Sequence, residues 1–321
     1  MIELALIEAA RERIAGAAIR TPLVRLQVQD APAEIYLKLE NLQPINSFKI
    51  RGAASAIMLA PASERAKGLV TASAGNMAQG VAWVARELGV PATIVVPEQA
   101  PEAKVTAIER LGGRVRKLPY DDWWNILVTG HPGGIDGLFV HPVQDPAVMA
   151  GNGTIGLEIL ADLPDPDAVV IPYGGGGLTV GIASVIRAMR PETRIITAEP
   201  ATGAALAGAL EAGHPADVDY SPSLVDGAGS RRVLDTMWPL VVPLVDRALA
   251  VPIDDVVAAI RLLAERVRVI AEGAGALAVA AALSGRAGRG KVVCVVSGGN
   301  IDLSKLADIL RGTAIQPGAA E

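Results

Sequence analysis

The sequence predicts an α/β fold in which a mainly parallel sheet is covered by helices on both faces. Three observations predict it: short runs rich in Val and Ile recur, a helical pattern follows each, and glycine-rich turns join several of them. Runs that are continuously apolar, rather than alternating, belong to strands buried on both faces, as in parallel sheets.

In chain order, MIELALIEAARER reads as an amphipathic helix, with acids at Glu3 and Glu8 where a secretory leader would be basic. ATIVVP (92–97) precedes APEAKVTAIERLG, and DAVVIPY (167–173) precedes LTVGIASVIRAM. RIITAEP (194–200) leads into a small-residue helix, and KVVCVVSGG (291–299) into IDLSKLADILRG. GHPGGIDGLFVHP (130–142) is the Gly/Pro-rich stretch best suited to cross between two lobes. The tail GTAIQPGAAE is expected to be loosely held.

Composition narrows the function classes. Hydrophobic residues make up 51% of the 321 and charged residues 20%, enough for a sizeable core. A net charge of −5 with no long basic run argues against nucleic acid as the main partner. Cys294 is the only cysteine, so no internal disulfide forms and a reducing, cytoplasmic compartment is expected. The apolar run GAGALAVAAALSG is too short to cross a bilayer.

Three glycine-rich turns follow strands: TASAGNMAQG (71–80), GGGGL (174–178) and SGGN (297–300). Ligands of open α/β sheets bind at such turns, beyond the strands' carboxyl ends. Gly174 to Gly177 leave an apolar strand and enter a helix, so successive N–H groups can converge on an anion. A phosphate cradle and a flexible turn both fit this pattern. Gly175, Gly177 and Gly181 also form a loosened dinucleotide fingerprint, with Glu199 ending the next strand, so an oxidoreductase reading stays open.

Lys49 lies between Phe48 and Ile50 at a helix entrance that Asn46 or Ser47 can cap. The positive end of the helix dipole and desolvation both disfavour its ammonium form, leaving an amine able to form an imine with an aldehyde. The alternative is a lysine whose stem packs while its head reaches water. An imine lysine together with a phosphate cradle is what pyridoxal phosphate requires.

QPINSFKIRGA, SAGNMAQG, VPEQAPEAKVTAIERLGG, GNGTIGLEI, PYGGGGL, AEGAGA and VVSGGNID stand in the order found in the serine/threonine dehydratase and serine racemase family, fold-type II pyridoxal-phosphate enzymes. The chain resembles that family from about Thr21 to Asp302. The resemblance implies a tryptophan synthase β-like fold of two lobes, each with a mainly parallel sheet flanked by helices. Residues 1–50 and 143–321 would form the large cofactor-binding domain and residues 51–142 the small substrate-loop domain. It also implies a homodimer. It makes Lys49 the imine lysine and the carrier of the Cα proton, with Phe48 against the cofactor. Asn76 would bond the pyridine 3-oxygen, and Gly174, Gly175, Gly176, Gly177 and Leu178 would hold the phosphate. Ser297 would face the pyridine nitrogen and Glu272 orient the ring or the lobe contacts. Ser73, Ala74, Gly75, Asn76 and Met77 would grip the substrate carboxylate. The activity implied is α,β-elimination from a β-hydroxy amino acid, by default L-threonine or L-serine, giving a 2-oxo acid and ammonia.

The departures are informative. Racemases resemble Ser-Ser-Gly-Asn where this chain has Ser73-Ala74-Gly75-Asn76, and Ala74 cannot donate a proton, which favours dehydration. Met77 stands where the family usually has His; it either packs or marks a bulkier substrate, phenylserine-like or ectoine-derived. The family's cation positions fall at Glu199, Gly203 and Ala205, which lack a second carboxylate, so no metal is expected and Glu199 is left to solvent or an arginine. Gln43-Pro44-Ile45-Asn46 differs from the Asn-Pro-Thr-Gly that β-replacement members resemble. Trp123 and Trp124 are expected in lobe core or an interface, and His131, His141 and His214, without ligand-like spacing, in loops. No regulatory domain is expected after Asp302, an expectation that favours a catabolic enzyme over a feedback-controlled one.

Overall fold

Two sheets organise the chain, and their strands fall where the apolar runs are. The computed structural model describes residues 1–312; the tail expected to be loose lies, from residue 313 on, outside the described residues. The strands are β1 (Leu23–Arg25), β2 (Glu34–Leu39), β3 (Leu69–Ala72), β4 (Ala92–Pro97) and β5 (Arg114–Leu118). They continue with β6 (Leu138–Phe139), β7 (Ala168–Pro172), β8 (Arg194–Pro200), β9 (Arg247–Val251) and β10 (Lys291–Val296).

The larger sheet has the order β1-β2-β10-β7-β8-β9, and only the β1/β2 pair is antiparallel. Its central strands are buried throughout: every residue of β7 is covered, as is all of β10 but Lys291. The smaller sheet, β5-β4-β3-β6, is wholly parallel. Helices lie against both, as parallel connections require. Alanine-rich Gly273–Leu283 is buried along ten of its eleven residues, packing where larger side chains would hold the sheet away. Among the described residues no helix is long and apolar enough to cross a membrane.

The stretch 130–142 is not purely a crossing. Its Leu138–Phe139 pairs with Leu69–Val70 as an edge strand, and the chain leaves the small sheet only after Val140, whose carbonyl accepts a bond from Thr71 Oγ1 at 2.8 Å. Trp123 packs half-buried against Val70, Ala72 and Val95, whereas Trp124 is largely exposed and stacks on Tyr120.

Helix Lys49–Leu59 packs against both helix Pro146–Asp162 and helix Asn76–Leu88, between the two sheets. A buried network of four charges fixes it. Arg51 donates to both oxygens of Glu40 at 2.7 and 2.8 Å and to both oxygens of Glu158 at 2.7 and 2.9 Å. Lys38 Nζ donates to Glu158 at 2.5 Å and to the Thr21 carbonyl at 2.6 Å. Lys38, Glu40 and Arg51 are at most 1% exposed, so opposite charge and full hydrogen bonding must offset their desolvation. The carboxylates hold the Arg51 guanidinium protonated beyond its ordinary strength.

Candidate active site

The site is assembled where β3, β7 and β10 end and helix Lys49–Leu59 begins. Phe48 N–H donates to the Ser297 carbonyl at 3.0 Å, and Ser47 bridges to Gly298, so the chain enters this helix alongside the turn that follows β10. The cap differs from the one expected. Asn46, at φ 56°, directs its carboxamide to Asn300 at 3.4 Å, and Phe48 occupies the cap position without a side-chain bond. Ser47 Oγ contributes only a long 3.4 Å contact to Lys49 N–H.

Lys49 is half-buried, with its amine 5.3 Å from the centre of the Phe48 ring. Its Nζ donates to the Pro142 carbonyl at 3.1 Å and has no carboxylate partner. Desolvation without a compensating charge brings its pKa down to about 8. Near neutral pH about a tenth of the amine is then neutral, far more than for an ordinary lysine, and the neutral form is the one that imine formation and proton transfer both need.

The residue after Pro142 reaches the glycine turn. A Cβ on Gly175 would stand 2.6 Å from Val143 Cγ2, and one on Gly177 would stand 3.0 Å from the Val143 carbonyl. Gly176 has φ 92°, a conformation side chains resist, and no side chain caps helix Gly177–Met189. Beside this open helix terminus are two buried hydroxyls without partners, Tyr173 Oη and Thr179 Oγ1. Orphaned donors, free helix N–H groups and a turn that admits no Cβ fit a phosphate group. Leu178 is buried in the same turn of helix.

The third turn completes the ring of residues. Asn76 Nδ2 donates to Glu272 Oε1 at 2.8 Å, and Asn300 Nδ2 donates to Asn76 Oδ1 at 2.7 Å. Glu272 N–H in turn donates to the Gly298 carbonyl at 3.0 Å, next to Ser297. Burial and then the nearby Asp226 push the Glu272 carboxyl up to about 8. One Asn76 N–H stays free for a ligand oxygen.

Of the loop residues, Ser73 hydrogen-bonds Val95 O through its N–H at 3.0 Å and accepts from Gly75 N–H at 3.2 Å, fixing the entry to helix Asn76–Leu88. Ala74 and Gly75 are half-buried. Met77 is not at the surface of the site: it is 1% exposed within the core beneath the small sheet. Packing therefore accounts for Met77, and the bulkier-substrate reading loses the residue that motivated it.

Two groups were not legible as site residues. His141 stands in a loop, as His131 and His214 do, yet its ring is tied on both sides: Nε2 meets the Leu127 carbonyl at 2.9 Å, and Nδ1 accepts from Val143 and Gln144 N–H at 3.0 and 2.9 Å. The Lys38–Glu158–Arg51–Glu40 network is the other; charged residues inside the apolar run YLKLE are the signal that could have found it.

The family's cation position does not fit a metal here. Glu199 is neither solvated nor paired with an arginine; its two oxygens accept from Leu206 and Ala207 N–H at 2.8 and 2.9 Å, at the start of helix Ala205–Ala212. Burial raises its carboxyl to about 7, and Gly203 and Ala205 add no carboxylate. Among the described residues no three His, Cys, Asp or Glu side chains gather as a metal site.

With this geometry in place, the likenesses are specific. The family model described as pyridoxal-phosphate dependent enzyme matches residues 14–298. The chain belongs to that family. It is 41% identical to the L-threonine ammonia-lyase of Thermotoga maritima, with 99% of this chain and 80% of the relative covered. It is 38% identical to the catabolic L-threonine dehydratase of Escherichia coli K12, covering 94% and 93%. Its fold superposes on maize serine racemase with a TM-score of 0.85 at 32% identity, covering 97% of both chains. The cofactor of this family member is pyridoxal phosphate, and the chain is a lyase with the family's α/β architecture. The dinucleotide reading of Gly175, Gly177 and Gly181 is set aside: that turn belongs to a family with another phosphate-bearing cofactor.

Proposed function

We propose that this enzyme is a dehydratase, or ammonia-lyase: it eliminates water from L-threonine or L-serine, and water then hydrolyses the resulting enamine, through its imine tautomer, to a 2-oxo acid and ammonia. The observation that carries the reading is the Pro142–Val143 pair. One residue receives the Lys49 amine and the next walls the glycine turn, so a nucleophilic lysine and an anion cradle share one site.

Bound pyridoxal phosphate supplies an electron sink that acidifies the Cα–H of an amino acid joined to it. Gly174 to Gly177 and Leu178 would hold its phosphate, Phe48 would lie against its ring, and Asn76 and Ser297 would offer polar groups to its 3-oxygen and ring nitrogen. The Ser297 hydroxyl, unlike a carboxylate, would not hold that nitrogen protonated, which would favour loss of a β-substituent over transamination. Glu272 sets the Asn76 carboxamide. The backbone N–H groups of Ser73 to Met77 receive the substrate carboxylate, and Lys49, with a pKa of about 8, takes the Cα proton. Ala74 offers no proton on the opposite face, which disfavours racemisation. The named activities of the relatives support this substrate class.

Residues 1–50 with 143–321 are assigned to the cofactor-binding domain and 51–142 to the substrate-loop domain; the membership of the two sheets supports that division. A cytoplasmic homodimer is part of the same proposal.

The test is 2-oxo acid release from a panel of β-hydroxy amino acids, L-threonine and L-serine among them. Turnover of either, at a rate exceeding that of phenylserine, is the expected result. A yellow, imine-containing protein that releases no 2-oxo acid from threonine or serine would refute the substrate assignment.

A further inference from the structure

The loop histidine lies at the junction on which this reading rests. His141 Nδ1 accepts two backbone N–H bonds, from Val143 and Gln144, so it carries no proton. The ring's hydrogen must then sit on Nε2, which donates to the Leu127 carbonyl of helix Tyr120–Thr129. That ring therefore joins a helix of the small sheet's layer to the turn Pro142–Gln144. The turn is also held from its two ends: Val140 is fixed to β3, and the Asp145 side chain caps helix Pro146–Asp162 through Ala147 N–H at 2.7 Å.

We propose that His141 is a positioning residue: its neutral ring clamps the Pro142–Gln144 turn, and protonation at Nδ1 releases it. The turn matters because Pro142 O meets the Lys49 amine and Val143 closes the glycine turn. A proton on Nδ1 would face two N–H donors 3.0 and 2.9 Å away, so both bonds are lost together. The surroundings favour the neutral form. Desolvation lowers the His141 pKa, and the Lys49 amine, facing it from helix Lys49–Leu59, adds to this. Asp145 and the Leu127 carbonyl oppose the shift, and the Phe139 ring presents an edge at 6.1 Å. Asp145 spends its carboxylate on the helix cap instead of on the imidazole.

The proposal deepens the reading of Lys49 and Gly174–Gly177 as one cofactor site and depends on it for its consequence, though not for the clamp itself. Two measurements separate them. The first follows amide hydrogen exchange of the 140–146 segment in the full-length holoenzyme, from about pH 8 to about pH 5.5, corrected for intrinsic exchange. Protection at Val143 and Gln144 should fall as the imidazole protonates, and this reads the clamp whether or not pyridoxal phosphate binds. The second follows retention of pyridoxal phosphate by visible absorbance over the same range. Wild type should bind roughly ten-fold more weakly at the acid end, as expected for two lost hydrogen bonds. H141N keeps an acceptor at the δ position and cannot take up a proton, so it should retain the cofactor and lose the acid weakening. H141F has no acceptor and should bind weakly at every pH. Exchange at Val143 and Gln144 that stays flat with pH, or an acid limb identical in wild type and H141N, would overturn the clamp. Intact pH-dependent protection in a protein that never takes up pyridoxal phosphate would instead overturn the site reading.

Discussion

The carboxamide of Asn76 donates to the carboxylate of Glu272 across 2.8 Å, joining the start of helix Asn76–Leu88 to the residue that precedes helix Gly273–Leu283. Glu272 is desolvated and faces Asp226, so its carboxyl titrates near 8 instead of in the ordinary carboxylate range. Its folded pKa lies above the unfolded value. Its contribution to stability is therefore fully present below the ordinary carboxylate pKa and is lost as pH rises through about 8. E272Q, which cannot ionise, should remove that alkaline loss. Thermal unfolding of both proteins between about pH 6 and about pH 9 checks this; parallel Tm–pH curves would contradict it.

Lys49 shows the reverse sign and a different cost. Its folded pKa, about 8, lies below the unfolded lysine's, so its penalty is absent above the ordinary lysine pKa and grows as pH falls through that window. Near neutral pH the cofactor-free protein holds a desolvated ammonium with one carbonyl for company. K49M should therefore raise the stability of the cofactor-free protein by about 1–2 kcal/mol while abolishing 2-oxo acid release. Urea unfolding and an activity assay on the same preparation provide the check. Residual turnover, or a less stable variant, would count against a desolvated catalytic amine.

The charge network around Arg51 makes the opposite prediction. E158L leaves Lys38 and Arg51 buried without their shared carboxylate, and removal of one partner from such a network costs about 3–5 kcal/mol. An exposed pair such as Arg86–Glu87 should contribute under about 1 kcal/mol when broken in the same way. Denaturant midpoints of E158L and R86A give the comparison, and equal losses would show that the network does not anchor the Lys49 helix.

On the proposed reading, Ala74 decides between dehydration and racemisation. Racemisation needs a proton donor on the face opposite Lys49, and a methyl group has none to give. Wild type should form no D-serine from L-serine. A74S should form a measurable amount while retaining dehydration, as read by chiral chromatography beside 2-oxo acid release. D-serine formation by wild type would remove Ala74 from this role.

What could be read in advance follows from the range of the interactions. Parallel strands β7, β8 and β10 announce themselves because burial on both faces forces continuous apolar runs. The short strand Leu138–Phe139 did not, since two residues at a sheet edge leave no period to read and sit among turn-forming glycines. Lys49 and Gly174–Gly177 were legible because their chemistry is local: a helix entrance and a strand-to-helix turn. Met77 was ambiguous because a sequence places it beside the loop without saying which way its side chain points; the fold turns it into the core. The Asn76–Glu272–Asn300 chain joins partners 196 and 224 residues apart, and His141 reaches Leu127 14 residues back, distances over which no spacing rule operates; its two short bonds to Val143 and Gln144 form only once the turn is folded.

The contact between Gly175 and Val143 is the most exposing test of the shared site, because it can be broken from either side. A Cβ at Gly175 would sit 2.6 Å from Val143 Cγ2, closer than real side-chain carbons approach. Val143 is branched and cannot swing its methyl away, so the strain must move its backbone. The Pro142 carbonyl on which Lys49 rests moves with it. G175A should therefore weaken pyridoxal phosphate binding by about ten-fold or more and also shift the Lys49 titration, two effects on groups that do not touch. V143A opens the space that the new methyl needs, so G175A/V143A should recover much of the cofactor affinity. Titration with pyridoxal phosphate, followed by absorbance, measures all three variants. Additive losses in the double variant would mean that Val143 is not the wall against which the glycine turn is set.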